Sequence, residues 1–412
     1  MFKKVSDLNK TIISFGSSNL IILATNFLTG ILIMKFINPY EFGVYNKFLI
    51  IANYIVLCNF GIPVVLQSEL PGLLKINATS KVDKLVNSAY SYLLSILVPV
   101  TFIVLVASVY FIFQKKYLLF FCCLILATNI WQNLFQNKFL KLLYRTGNEF
   151  KNLIKIQNTS SILSLFFSFT IIFVGVAGIL VRNLTYTIYN IYELITKSPL
   201  NFKIDFNNIK EVLKKGFAYF KVNIFFAYFP ILVSSLSALI FNSNDFGLLS
   251  LYFLIITALN KLLVSIDKVL YIKISESCYL NVSANNILNN IFKNNVLPYM
   301  ISYVIATILV FIFIDDIILF FPLYIDGVTI IKLSFILGFL LMFNFQNIFF
   351  DVFKKLRYKS YSILIKYIIF IICFICLNFL ELVKVELILM SLIISESSSI
   401  LYNFSIIKYK FS

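Results

Sequence analysis

Apolar residues run along this chain in blocks of about twenty, separated by short segments that carry most of the charge. A helix crossing the hydrocarbon layer of a bilayer needs ~20 such residues. Twelve blocks reach that length. In the first half they are Ile12–Met34, Val44–Leu66, Tyr90–Phe113, Leu118–Phe139, Leu153–Phe173 and Gly178–Thr196. In the second half they are Phe217–Phe241, Phe246–Leu270, Val296–Ile314, Thr329–Phe350, Tyr361–Leu380 and Val385–Ile407. The run from Leu153 to Thr196 is broken only weakly, and its length suits two crossings with a turn at Gly175 to Gly178. The first block is too long for a secretory signal and lacks a small-residue cleavage site. The pattern predicts an all-α integral membrane protein of twelve transmembrane helices.

Composition agrees. The chain is 60% hydrophobic and 13% charged, against roughly 45–50% apolar and ~25% charged in soluble domains. It contains no histidine, which excludes histidine–metal sites, Ser–His–Asp catalysis and histidine proton shuttles. The net charge of +17 speaks first of topology and not of nucleic acid. With both termini inside, the inner segments hold 25 lysines and arginines, and the outer connections hold only Lys35, Lys115, Lys116 and Lys384. That bias places both ends in the cytoplasm. The longest expected outer connection, Asp315 to Val328, has 14 residues. This leaves no room for an outer catalytic domain, so no catalytic residue is assigned.

The halves echo each other. Shifting the chain by 204 residues aligns Phe2–Ile51 with Phe206–Ile255 without a gap. Lys10 meets Lys214, Asn19 meets Asn223, and Asn38…Glu41-Phe42-Gly43 meets Asn242…Asp245-Phe246-Gly247. Each copy opens with a basic amphipathic stretch (Phe2, Val5, Leu8; Phe206, Ile209, Val212) suited to the inner leaflet. Gly216 is placed to end the second stretch. Each copy then turns at an Asn and re-enters with an acid in the first turn, where the helix dipole favours negative charge. Six spans separate the copies, so they are parallel repeats related by an axis along the membrane normal. The expected organisation is an N-lobe over 1–196, a cytoplasmic amphipathic linker helix over 197–216 and a C-lobe over 217–412. Two such six-helix lobes are expected to enclose a cavity with alternating access.

The basic start, Gly16, Asn38-Pro39-Tyr40-Glu41-Phe42-Gly43-Val44-Tyr45 and Gly61-Ile62-Pro63…Glu69-Leu70-Pro71-Gly72 together resemble the bacterial polysaccharide exporters. Within them the chain is similar to the O-antigen (Wzx-type) flippases of the multidrug/oligosaccharidyl-lipid/polysaccharide exporter superfamily. The resemblance implies transfer of an undecaprenyl-diphosphate-linked oligosaccharide from the cytoplasmic to the periplasmic leaflet of the bacterial inner membrane. It also implies a cationic cavity and coupling to H+ or Na+, with no other cofactor and no metal. The expected partners are that lipid-linked oligosaccharide, membrane lipids, an O-antigen polymerase and a chain-length regulator. The protein is expected to be a monomer without nucleic acid. The rivals are a multidrug or cation antiporter of the same superfamily, and a membrane O-antigen polymerase or glycosyltransferase. An antiporter needs acids in its first lobe, and Ile12–Met34 holds none.

A diphosphate crossing an apolar slab is drawn by buried cations. Those at least three positions inside an expected span end are Lys47, Arg182, Lys221, Lys261, Lys332 and Lys366, and these are the candidate substrate-binding residues. Lys261 is the deepest. All the others could instead extend to an interface. The acids at least three positions inside a span end are Glu193, Asp267 and Glu396. Glu396, deep in Ser395-Glu396-Ser397-Ser398-Ser399, is the candidate for ion coupling, with Asp267 second. Its alternative role is an ion pair that packs helices together. Glu193 lies near an inner end, where it can pair with loop lysines. The polar run Asn129, Trp131, Gln132, Asn133, Gln136, Asn137 can bond a sugar or hold neighbouring helices together. The cysteines, including Cys373 and Cys376, read as small apolar filler.

Overall fold

The computed structural model describes residues 18, 21–147, 149–257, 259, 293, 297–352, 356–379 and 385–410. It divides into two compact units, Met1–Leu239 and Ile240–Ser412. All the regular structure among the described residues is helical.

The first unit contains α1 (Ile21–Phe36), α2 (Pro39–Leu57), α3 (Ile62–Lys75), α4 (Thr79–Phe113), α5 (Tyr117–Thr146), α6 (Phe150–Val174), α7 (Val176–Thr196) and α8 (Ile209–Ile240, which reaches the boundary). The second contains α9 (Ser243–Thr257), α10 (Leu297–Ile318), α11 (Val328–Leu341), α12 (Gln346–Val352), α13 (Leu356–Phe379) and α14 (Val385–Lys410). Among the described residues seven helices are long and apolar enough to cross a membrane, and α2 with α3 forms a further span bent by 49°. The protein is multi-pass. Its lipid-type surface is plain on α4, where Phe102, Ile103, Val106, Val109, Tyr110 and Phe113 are all exposed.

Local sequence explains the boundaries. Asn38 caps α2 by accepting a hydrogen bond from the Glu41 amide at 2.8 Å, and Asn242 caps α9 by accepting from the Asp245 amide at 2.9 Å. Phe42 and Phe246 are both buried just inside these caps. The repeat seen in sequence is thus a capping device used once in each unit. The long Leu153–Thr196 run does turn at Gly175, whose φ of +55° favours glycine. A Cβ on Gly178 would lie 2.5 Å from the Ile171 amide nitrogen, so only glycine allows the hairpin to close this tightly.

The linker departs from expectation. Residues 201–206 are not helical, and the helix that follows begins at Ile209 and runs unbroken to Ile240. The segment is pinned to α4 instead. The Lys203 amide donates to Asn87 at 2.8 Å, the Asp205 amide donates to Ser91 at 2.6 Å, and Phe202 packs on Tyr90 and Phe139. Backbone bonds to α4 replace the helical bonds that an amphipathic helix would have made. Gly216 ends no helix. A Cβ there would lie 2.6 Å from the Phe60 carbonyl oxygen, and one on Gly61 would lie 2.3 Å from the Gly216 oxygen. The two glycines let the α2–α3 bend touch the backbone of α8. Glu69 accepts from Lys215 at 3.0 Å beside this contact, and Phe60, Phe217 and Phe220 form an aromatic cluster there.

Candidate functional site

The polar run of the fourth expected span has an unusual backbone. Trp131–Leu140 is a ten-residue π-helix within α5; such stretches are rare and concentrate at functional positions. The Trp131 indole anchors its start by donating to Thr101 at 2.8 Å. Phe135 and Phe139 stack into the core with Tyr90. Gln136 is fully buried, and its side chain lies beside the Tyr186 hydroxyl of α7.

Directly after the π-helix comes Lys141, only 5% exposed. Its ammonium donates to the Tyr186 hydroxyl at 3.4 Å and lies 5.7 Å from the ring centre. Tyr186 is on α7, one turn beyond Arg182. The Arg182 guanidinium donates to Asn26 of α1 at 2.9 Å and to Asn183 at 3.3 Å, while its Nε has no partner. Tyr45 of α2 lies within electrostatic reach of it. Four helices therefore converge on a cationic, amide-lined interior. Its polar walls continue along α7 through Asn183, Thr187 and Asn190, and along α6 through Gln157, Ser160, Ser161, Ser164 and Ser168, all buried. The hydroxyls of Thr29 and Ser168 bond at 2.9 Å, joining α1 to α6.

In the second unit, α14 shows Ser391, Ser395, Ser399 and Asn403 at four-residue spacing, all buried. Beside this stripe Glu396 is 2% exposed and ion-paired with Lys366 of α13. Ser362 and Ser399 bond at 2.7 Å one turn away, and Tyr252 lies within electrostatic reach of Glu396. Gln346 of α12 is fully buried with both amide atoms unpartnered.

The predicted site residues fall into distinct environments. Lys366 and Glu396, assigned separately to cargo and coupling, are brought together as one pair. Lys332 meets Asp315 at 3.6 Å. Lys221 is exposed, with its ammonium 5.1 Å from the Phe217 ring centre. Lys47 is half-buried on α2. Lys261 and Asp267 lie outside the described residues. Glu193 pairs with Lys197, and the hydrogen bond it accepts holds the Lys197 ammonium above the ordinary lysine range. Lys141 is one of the 25 cations that the charge bias assigns to the inner segments, and its burial depends on how α5 and α7 pack. Its only sequence signal is its place at the end of the amide-rich run. Among the described residues, no cluster of His, Cys, Asp and Glu could hold a metal ion.

No protein-family model matches the sequence, and no curated protein matches it at significant similarity. Solved structures do match. An inward-facing multidrug resistance transporter of the MATE family, in the MOP superfamily, superposes with a TM-score of 0.69 at 11% identity, over 97% of this chain and 98% of that one. The lipid II flippase MurJ, in an inward closed conformation, gives 0.64 at 15% identity, over 97% of this chain and 87% of that one. A eukaryotic MATE transporter gives 0.61 at 11% identity, over 97% and 95%. At these identities the likeness is one of fold: the chain is an all-α, multi-pass membrane protein with the architecture that MATE transporters and MurJ share.

Proposed function

We propose that this protein is a flippase for an undecaprenyl-diphosphate-linked oligosaccharide, an O-antigen unit. It would move this cargo from the cytoplasmic to the periplasmic leaflet of a bacterial inner membrane by alternating exposure of its binding groups to the two faces. Both termini are cytoplasmic in this reading. The observation that carries it is the sign of charge at membrane depth. Counting residues at least three positions inside the ends of the expected spans, cations outnumber acids six to three. In the first unit the one such acid, Glu193, is neutralised by Lys197. An anionic headgroup gains from such an interior, and a cationic drug does not. The likeness to MurJ, named as a lipid II flippase, supports the same cargo class.

The diphosphate falls to Lys47, Lys221 and Lys261 in this reading. Glu396 couples transport by exchanging its Lys366 partner for a proton. The test is a flip assay in proteoliposomes with a fluorescent lipid-diphosphate oligosaccharide, and Lys261→Glu as its control. The reading expects translocation by the native chain and at least a tenfold loss in the variant. Equal rates in both would refute the assignment of Lys261, and no translocation would refute the cargo.

A second reading, a multidrug antiporter, draws on the higher TM-score of the multidrug transporter, 0.69 against 0.64 for MurJ. Gradient-driven efflux of cationic dyes without lipid flipping would favour it.

A further inference from the structure

Lys141 and Arg182 pose a physical problem that the transport reading does not address. Lys141 is almost wholly buried, and Arg182 has a buried Nε without a partner. Both converge on Tyr186. Among the described residues neither has a carboxylate within ion-pair distance, and their partners are neutral amides and a phenol. Removing one ion from water costs several kcal/mol even after relaxation, and two of like sign near one another cost more. Buried charges are ordinarily paired or bound to an opposite ion.

We propose that the interior of the first unit holds a small inorganic anion, of halide size, between Lys141, Arg182 and Gln136. The available donors fit. Lys141 has two N–H groups beyond the one given to Tyr186, and Arg182 has its free Nε–H. Gln136 offers its amide N–H groups. Its side chain lies beside the Tyr186 hydroxyl, and at least one of its two amide N–H groups remains for an anion held there. The π-helix is what takes Gln136 out of the regular α-helical register. The size follows from enclosure. Gln136 and Lys141 are each at most 5% exposed, too enclosed for a diphosphate, so the proposed ligand is a single small anion. The anion neutralises the cations that close α5 onto α7. It is a resident of the lobe and separate from the cargo, so the inference stands whether or not the flippase reading does.

The test is thermal unfolding of the purified full-length chain in detergent, with sodium bromide titrated against sodium gluconate at fixed ionic strength. Bromide is expected to raise the midpoint in a saturable way, as a ligand of the folded state must. Lys141→Gln and Arg182→Gln should each abolish that rise, and Lys141→Arg should retain it. Should the glutamine variants fail to fold, anomalous scattering from native crystals grown in bromide should show a peak between α5 and α7. No bromide effect on the native chain would overturn the proposal, as would an effect that survives both glutamine variants. Stabilisation by inorganic phosphate with none by bromide would also overturn it. If the Tyr186 phenolate is the counter-charge instead, Tyr186→Phe will create a bromide effect that the native chain lacks, which again refutes the proposal.

Discussion

At the scale of single residues, a charge in these helices is defined by its partner. Glu396 is almost completely buried and Lys366 is about one-fifth exposed at its side chain. Breaking a fully buried pair costs ~3–5 kcal/mol, and the partial exposure of Lys366 reduces that to about 1–3 kcal/mol here. Lys366→Met leaves a buried carboxyl with no cation, and its thermal midpoint in detergent should fall clearly below the native value. Glu396→Gln leaves an ammonium that can swing toward water, so its loss should be smaller. Equal losses in the two variants would show that packing, and not charge, dominates the pair.

Elements follow from capping, from close approach and from where amide side chains find partners. Asn38 and Asn242 perform the same cap in the two units. Each Asn→Ala change should cost ~1 kcal/mol, in nearly equal amounts, read as a drop in the unfolding midpoint. Strongly unequal losses would argue that the repeated motif has diverged in role. The glycine contact is stiffer, because its clashing atoms are backbone. Gly216→Ala should destabilise by about 1–3 kcal/mol, in line with other overpacked positions. Gly61→Ala should cost more, since it adds a side chain at φ +77°. Both changes disturb one contact, so the double variant should lose less than the sum of the singles, and an additive double would refute that sharing.

Across the whole molecule, the fold is the one that MATE transporters and MurJ share, and the proposed cargo rests on the pattern of charge. If the flippase reading holds, Glu396→Gln should still bind lipid-diphosphate oligosaccharide but lose the dependence of its flipping on an imposed proton gradient. Unchanged gradient dependence in proteoliposomes would separate Glu396 from coupling. The 800 Å3 cavity lined by Lys75, Arg145, Glu149, Leu142 and Leu200 lies in the first unit, beside connections that the charge bias places on the inner face.

The sequence alone determined the membrane class, both ends of α6 and of α7 to within a few residues, the glycine turn at Gly175 and the repeated Asn caps. All of these depend on residues close together in the chain, where length, hydropathy and backbone preference act directly. The tertiary structure decided which ionisable groups meet. Lys366 and Glu396, candidates for different tasks in the sequence, form one pair, and Lys141 is buried where α5 and α7 pack. It also decided that the segment before α8 lies extended against α4, because Asn87 and Ser91 bind its backbone from more than a hundred residues away. Hydrophobic periodicity fixes which helices form, since lipid selects them one at a time. Buried polar partners are fixed only by packing, because a charge removed from water is stabilised by whatever the fold sets beside it.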